Sequence, residues 1–363
     1  MSTLKVGALQ GISASSDAIT LANDGTCTAN ITNNLSNRRL TINGDMKIAQ
    51  RGTSSTTSGF GTVDRFAVYY AGADEAPTQS QADVASGTTP YTNGFRKALK
   101  ITNGNQTGGA GTGDQLYISH KIESQDMATS GWNYTSTSSK ITLSFWVKSS
   151  VAQNFYGYLK TADGTAQNYP FETGSLSANT WTKITKTIIG NSNLQFDIDT
   201  NTGIEIVIAQ WFGTDKTGSV SLNAWGAWSS SNRLPDFGAA MDDWYTTNDA
   251  TFEITGVQLE VGHATDFEHR SFGQELALCQ RYYFGGATSG TAYYGGRYST
   301  NNSMVAVTLP VLMRNTPTVT NPTISGGGSL STIYESNHQI HYYITGDTSA
   351  YVARADVKCD AEL

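Results

Sequence analysis

The stretch Ile141-Thr-Leu-Ser-Phe-Trp-Val-Lys148 alternates with the period of a strand: Ile141, Leu143, Phe145 and Val147 share one face, while Thr142, Ser144, Trp146 and Lys148 share the other. Such a strand covers a core on one side only. The signal recurs along the chain at Lys97 to Ile101, Gln115 to Ile122, Asn154 to Lys160, Trp181 to Ile189, Ile204 to Trp211 and Thr251 to Val261. Two antiparallel sheets packed face to face are the economical way to bury so many half-apolar strands.

Upstream, Ile42-Asn-Gly-Asp-Met-Lys-Ile-Ala-Gln-Arg-Gly52 carries an Asn43-Gly44 turn signal and leads as a strand into the main module. Val63 to Tyr70 predicts another strand, and the polar stretch from Gly72 to Gly94 a single large loop. Residues 1–57 are rich in Ser, Asn and Thr, with apolar runs too short for a core. That pattern fits an attachment or oligomerisation segment, or else a flexible leader. Ser271-Phe-Gly-Gln274 has the form of a capping box, and Phe272, Leu276, Cys279 and Tyr283 follow at helical spacing. A short helix with a buried thiol at Cys279 is expected. Ala292 to Tyr298, Ser303 to Leu309, Thr316 to Thr320 and His338 to Ile344 then predict further strands. The expected organisation is all-β: an N-terminal segment over 1–57, a β-sandwich over 58–270, a linking helix over 271–284 and a small C-terminal β-domain over 285–363.

Composition agrees with this and narrows the partners. Of 363 residues only 15% are charged, while 37 are Gly and 18 Tyr, a mix suited to short strands and polar turns. A net charge of -7 with scattered Lys and Arg supplies no field for a polyanion, so nucleic acid is not expected as a partner. No apolar run approaches the about 18 residues of a membrane span, so no membrane insertion is expected. Met1 to Leu9 lacks the apolar core of a signal peptide. Cys27, Cys279 and Cys359 are odd in number and far apart, which fits neither a disulfide framework nor a zinc site. Reduced thiols, assembly in a cytoplasm and no cofactor are the expectation.

Several stretches together carry a resemblance: Asn43-Gly-Asp-Met-Lys-Ile-Ala-Gln-Arg-Gly52, Val63-Asp-Arg-Phe66, Ile118-Ser-His-Lys-Ile-Glu123, Ile141 to Ser149, Phe252-Glu-Ile-Thr-Gly-Val-Gln-Leu-Glu-Val-Gly262 and Glu275-Leu-Ala-Leu-Cys-Gln-Arg-Tyr-Tyr283. In this order, over roughly residues 40–285, they resemble the core of tail-fibre and related structural proteins of tailed phages. The leader and the ending from Val307 to Glu362 also resemble parts of such proteins. The resemblance implies a jelly-roll sandwich related to carbohydrate-binding modules, a homotrimer, and a place in the virion at the tail fibre. Many such domains serve only as spacers, so the fold does not by itself imply glycan binding.

All seven tryptophans fall within the expected sandwich. Sugar rings stack their C–H faces on indoles and need polar partners for their hydroxyls. Trp225 and Trp228 lie in a stretch with little strand periodicity, and Trp244, Tyr245 and Asp243 follow closely; together they are the candidate aromatic platform. The alternative is that these rings anchor loops onto the sandwich. Trp146 is a further candidate, because Ser144 and Lys148 share its face. Tyr334, His338, His341, Tyr342 and Tyr343 could form a second site in the last domain. Asp163, Asp197, Asp199, Asp242 and Asp243 are compatible with a structural Ca²⁺, though no contiguous calcium loop is present.

Glu123, Asp126, Glu205, Asp243 and Glu260 are available carboxylates, but no Gly-x-Ser-x-Gly elbow, His-Glu-x-x-His site or phosphate loop occurs. The expectation is a noncatalytic tail-fibre subunit that attaches a virion to bacterial surface polysaccharide and joins the phage tail, or another virion protein, through its N-terminal segment. The alternative is a structural tail or capsid-decorating protein that binds only other virion proteins.

Overall fold

The computed structural model describes residues 6–12, 19–21, 27–29, 38–236, 242–285, 293–320, 328–346, 354–355 and 357–363. Ala8–Leu9, Ile19–Leu21 and Cys27–Ala29 form a small antiparallel sheet. Apart from Val6, Gly7 and Gln10 to Ile12, the remainder of the expected attachment segment before residue 38 lies outside the described residues.

The sandwich strands are β1 (Ser54–Ser55), β2 (Phe66–Ala71), β3 (Thr78–Asp83), β4 (Lys97–Thr102), β5 (Gln115–Glu123), β6 (Lys140–Ser149), β7 (Asn154–Thr161), β8 (Gln167–Ser175), β9 (Thr182–Ile189), β10 (Thr202–Phe212), β11 (Gly226–Ala227) and β12 (Thr251–Val261). One sheet runs β11-β8-β7-β10-β5-β2 and the other β9-β6-β12-β4-β3-β1, with antiparallel pairing throughout. The chain passes repeatedly between the two sheets, as in a jelly roll. Ile141, Leu143, Phe145 and Val147 point inward and meet Phe155, Leu159, Ile204, Ile206 and Ile208 of the facing sheet in one apolar core. The two-residue alternation therefore fixes which face of β6 remains available for a site.

Three segments depart from the expected pattern. Ile42 to Gly52 is not a strand but a run of turns and irregular chain. The stretch Gly72 to Gly94 is not a single loop: it holds β3 and a short helix, α1 (Thr89–Thr92). β3 is polar because it lies near the sheet edge, and its buried Gln79 is held by Thr62 and by the carbonyls of Thr57 and Gly59. β8 was not among the expected strands; it places Tyr169 and Phe171 in the core while Asn168 and Pro170 border the outer side.

The sandwich also begins before position 58. Met46 and Ile48 are buried, and the Asn43 side chain ties the carbonyls of Ile48 and Asp64 together at 2.9 Å each. Arg39 forms a buried ion pair with Glu275 on a helix of the linking region. Two more short helices, α2 (Ser124–Ala128) and α3 (Asp242–Thr246), precede that one, α4 (Phe272–Gln280). α4 starts with the expected capping box between Ser271 and Gln274. Its inward face is Glu275 and Cys279, whereas Phe272 is 60% exposed and lies off the buried stripe. Glu275 turns inward because Arg39 and the Asn43 amide supply the partners that a buried carboxylate requires.

After α4 come β13 (Tyr283–Gly285), β14 (Gly296–Ser299), β15 (Asn302–Thr308), β16 (Thr318–Val319), β17 (Ser329–Glu335), β18 (Gln339–Thr345) and β19 (Lys358–Asp360). β14-β15-β18-β17 form one sheet and β13-β19-β16 another, around a separate core that includes Val305, Val307, Ile340 and Tyr342. Glu362 returns to the sandwich and pairs with Arg51 and Arg65.

Candidate functional site

Across β6, the inward positions are committed to the core, so Trp146 stands on the outer face between Lys183 of β9 and Thr255 of β12. β12 bulges there, at Gly256. This glycine has φ of 65°, and a Cβ on it would come within 2.7 Å of the Phe95 ring and 3.2 Å of the Trp146 ring. Only glycine leaves room for both rings to meet at this point. The result is a cleft of about 370 Å³ lined by Trp146, Phe95, Phe267, Lys183, Asp266 and His269, within the about 300–1,000 Å³ range of small-molecule sites.

The walls are set before any ligand arrives. Phe95 is buried and meets Phe267 edge-on at 4.9 Å, and the Arg39 guanidinium lies 4.7 Å from the Phe267 ring centre. The loop carrying Thr265 to His269 hangs from two buried residues of β12. Glu260 accepts from the Thr265 amide at 2.8 Å and its hydroxyl at 2.6 Å, and Gln258 Oε1 accepts from the Glu268 amide at 2.9 Å. Arg38 adds a bond to the Asp266 carbonyl at 2.7 Å. Glu260 is thereby a structural partner of the loop. His269 lies 2.9 Å through Nε2 from the Asn93 carbonyl, which fixes the ring beside Gly94.

Chemically, the cleft offers a half-buried indole face together with an ammonium, a carboxylate and an imidazole. Lys183, Asp266 and His269 are all exposed. The Lys183 ammonium and Asp266 carboxylate form no ion pair with each other or with other described residues. They can therefore meet ligand groups without breaking an existing pair.

Trp225 and Trp228 are separated by β11, whose pairing with β8 sends the rings to different places. Trp225 packs on Tyr169 at 5.2 Å and donates from its indole to the Ile189 carbonyl at 2.8 Å. It borders a second cleft, of about 300 Å³. Trp228 lies 5.3 Å from Tyr158 and 4.5 Å from the Lys160 ammonium, over a small apolar cluster of Val207, Ala209, Phe212 and Leu234. It anchors its loop to the outer face of that sheet.

The expected platform with Trp244 and Tyr245 is not formed. Both rings are fully buried: Trp244 donates to the Thr251 carbonyl at 3.0 Å, and Tyr245 stacks on Trp211 at 5.6 Å. α3 turns them into the core and leaves Asp243 outside, so neither ring offers a face to a ligand. In the last domain, Tyr342 is buried, while Tyr334 is 62% exposed and packs edge-on against Tyr343 at 5.3 Å.

Two of the aspartates considered for calcium serve as hydrogen-bond acceptors within the protein. Asp163 accepts from the Ser124 hydroxyl and from the Asp197 amide, and Asp199 accepts from Asn201. Among the described residues no group of three or more His, Cys, Asp or Glu is arranged to hold an ion, and no helix is long and apolar enough to cross a membrane. The Asp242 side chain lies outside the described residues. Of the other carboxylates, Glu123 is buried and bound by Arg281 and Tyr282. Burial alone would raise its carboxyl, but these hydrogen bonds outweigh it and hold Glu123 below the usual range. Glu205 accepts from Ser119 at 2.7 Å.

Lys183, Phe267 and His269 were not foreseen beside Trp146. The inward pair Ile184 and Ile188 does place Lys183 outward on β9. Nothing in one sequence tells which strand lies next to β6.

The chain is thus an all-β protein with a sandwich that bears an aromatic, mixed-charge cleft. No protein family matches it, and no curated protein does. Among solved structures, it is similar to the enzymatically active domain of tailspike protein 4 from bacteriophage CBA120, at 10% identity and a TM-score of 0.31 over 57% of this chain and 21% of that one. It is also similar to the N-terminal cellulose-binding domain of a Cellulomonas fimi β-1,4-glucanase C, at 10% identity and 0.30 over 59% and 98%. A family 11 carbohydrate-binding module from Clostridium thermocellum, in complex with a mixed-linked tetrasaccharide, gives 11% identity and 0.26 over 60% and 98%. The chain spans about a fifth of the tailspike domain, 21%. Similarity at this level assigns no ligand.

Proposed function

We propose that this protein is a noncatalytic attachment subunit of a phage tail fibre, and that it holds a glycan of the bacterial surface in the cleft over Trp146. The observation that carries this is the half-buried Trp146 indole at the floor of a cleft whose rim bears Lys183, Asp266 and His269. An apolar ring face surrounded by hydrogen-bonding and charged groups suits a sugar, which presents C–H faces and hydroxyls together. The phage context is supported by the sequence stretches that resemble tail-fibre proteins. In a homotrimer three such clefts would act together, so weak single contacts become firm attachment. The noncatalytic assignment is supported by the commitment of Glu123 and Glu260 to structural hydrogen bonds.

Binding of the full chain to surface polysaccharides from candidate bacterial hosts tests the proposal, alongside Trp146→Ala and Lys183→Ser variants shown to be folded by circular dichroism. Binding weakened by about tenfold or more in Trp146→Ala supports it. Undiminished binding in that variant moves the site elsewhere. No binding to any polysaccharide favours a spacer that meets only virion proteins. Sedimentation of the full chain tests the trimer, and immunogold labelling of virions tests its place on the tail.

A further inference from the structure

Residues 38–41, where the chain enters the sandwich, belong to no strand, yet they grip three consecutive residues of the loop that walls the Trp146 cleft. Arg38 Nη2 donates to the Asp266 carbonyl at 2.7 Å, the Arg39 guanidinium lies 4.7 Å from the Phe267 ring centre, and the Arg39 amide donates to Glu268 Oε2 at 2.9 Å. Asp266 and Phe267 line the cleft, whereas Arg38, Arg39 and Glu268 do not. This strap is seated on β12 by the Leu40 amide on the Leu259 carbonyl at 2.9 Å and by the Thr41 hydroxyl on the Val257 carbonyl at 2.7 Å.

Arg38 has a second task. Its Nε lies 4.0 Å from Oε2 of the fully buried Glu260, and among the described residues no other cation is within ion-pair distance of that carboxylate. Glu260 in turn holds both the amide and the hydroxyl of Thr265. Removing the counter-charge of a buried carboxylate is costly, and here the penalty falls on the group that holds the loop. Residues 262–270 contain no helix or strand that would keep the wall in place without these ties.

We propose that Arg38 and Arg39 are positioning residues for the Trp146 cleft: the wall bearing Asp266 and Phe267 stands only while residues 38–41 are seated, so occupation of the cleft and load on the preceding chain act on each other. The link to occupation rests on the reading of this cleft as a glycan site; the link between strap and wall rests on geometry alone. By reciprocity, a saccharide that needs the wall also holds the strap down. Tension on the N-terminal segment that unseats the strap would release the sugar while the sandwich core remains folded.

The test is hydrogen exchange of the full chain, followed at the Thr265 and Glu268 amides, which are bonded to β12 and not to the strap. Arg38→Gln removes the charge, Arg38→Lys keeps it, and Glu268→Ala frees the Arg39 amide without altering the cleft lining. Exchange at both amides should rise about a hundredfold or more in Arg38→Gln and about tenfold in Glu268→Ala, less in Arg38→Lys, with β7 and β10 unchanged. Unchanged loop exchange in the folded variants overturns the proposal. So does an equal rise in β7 and β10, which would make the strap a support of the whole sandwich. In the parent, a candidate-host surface polysaccharide at about ten times its Kd should slow exchange of the Leu40 amide about tenfold, and should not do so in Trp146→Ala. Bound polysaccharide that leaves Leu40 unchanged overturns the coupling. If the parent binds no polysaccharide, the glycan reading falls and loop exchange alone decides the positioning role.

Discussion

The Glu362 carboxylate meets the Arg65 guanidinium across 297 residues of sequence, with Arg65 only 1% exposed and Glu362 only 5%. Arg65 also lies 3.4 Å from the centre of the Tyr282 ring, and its carbonyl meets His120 at 3.1 Å. Glu362→Gln would leave a buried cation without its counter-charge, an effect of about 3–5 kcal/mol. Urea unfolding of the variant should show a loss of that order. Replacing both partners by apolar residues, as in Arg65→Met with Glu362→Leu, should recover much of it; failure to do so sinks the assignment of the loss to an unpaired charge.

Gly256→Ala forces a side chain into the gap between Phe95 and Trp146 and strains a left-handed backbone. We expect about 1–3 kcal/mol of destabilisation and a cleft that no longer admits ligand. Ligand titration beside thermal unfolding checks this. A folded variant that binds as the parent does would show that the bulge is irrelevant to the cleft.

Asp64 gives the fold a distinct pH dependence. Burial, opposed by the hydrogen bond from Gln50 and by Arg51, raises its carboxyl to about 6 from the ordinary 3.8. Between those values the folded protein retains a proton that the unfolded chain has released. Stability therefore falls as pH rises through this window, by on the order of 3 kcal/mol in all. Asp64→Asn should remove this component. The measurement is the unfolding free energy at about pH 4 and about pH 7, parent against variant, and equal changes in both would rule out Asp64 as the cause.

Cys279 and Cys359 are buried free thiols. Burial pushes Cys359 up to about 12 and Cys279 well above its usual range, so neither supplies thiolate at neutral pH. A thiol reagent should label both only at the rate of unfolding. Fast labelling of a variant carrying both Cys27→Ser and Cys279→Ser would show that Cys359 is open in the native state.

The strand pattern was legible where the alternation is long and regular: Ile141 to Lys148 and Thr251 to Val261 lie in the strands their sequences predict. It was silent where polar residues are buried in pairs. Arg39, Asn43 and Asp64 resemble surface residues in sequence because their partners, Glu275 among them, are far along the chain or are backbone groups. For the same reason the sandwich's true beginning was hidden. Trp146 could be assigned an outward position from alternation alone, but its neighbours Lys183 and His269 depend on strand order and loop path. Trp244 and Tyr245 misled because α3 has only five residues, too few for a helical face to show in the pattern.

The clasp of residues 38–50 against 266–285 brings the entrance and the exit of the sandwich together: Arg38 on Asp266, Arg39 on Glu275, Lys47 on Arg270 and Gln50 on Tyr283. A unit whose two ends meet can be transplanted into a surface loop of another scaffold without stretching either partner. Recombination or protein engineering can move such a unit as a cassette, provided that both halves of the clasp travel with it and that Arg65 keeps a counter-charge in place of Glu362. A graft cut at residue 58 would strip the buried Glu275 of Arg39 and of the Asn43 amide, its two close partners.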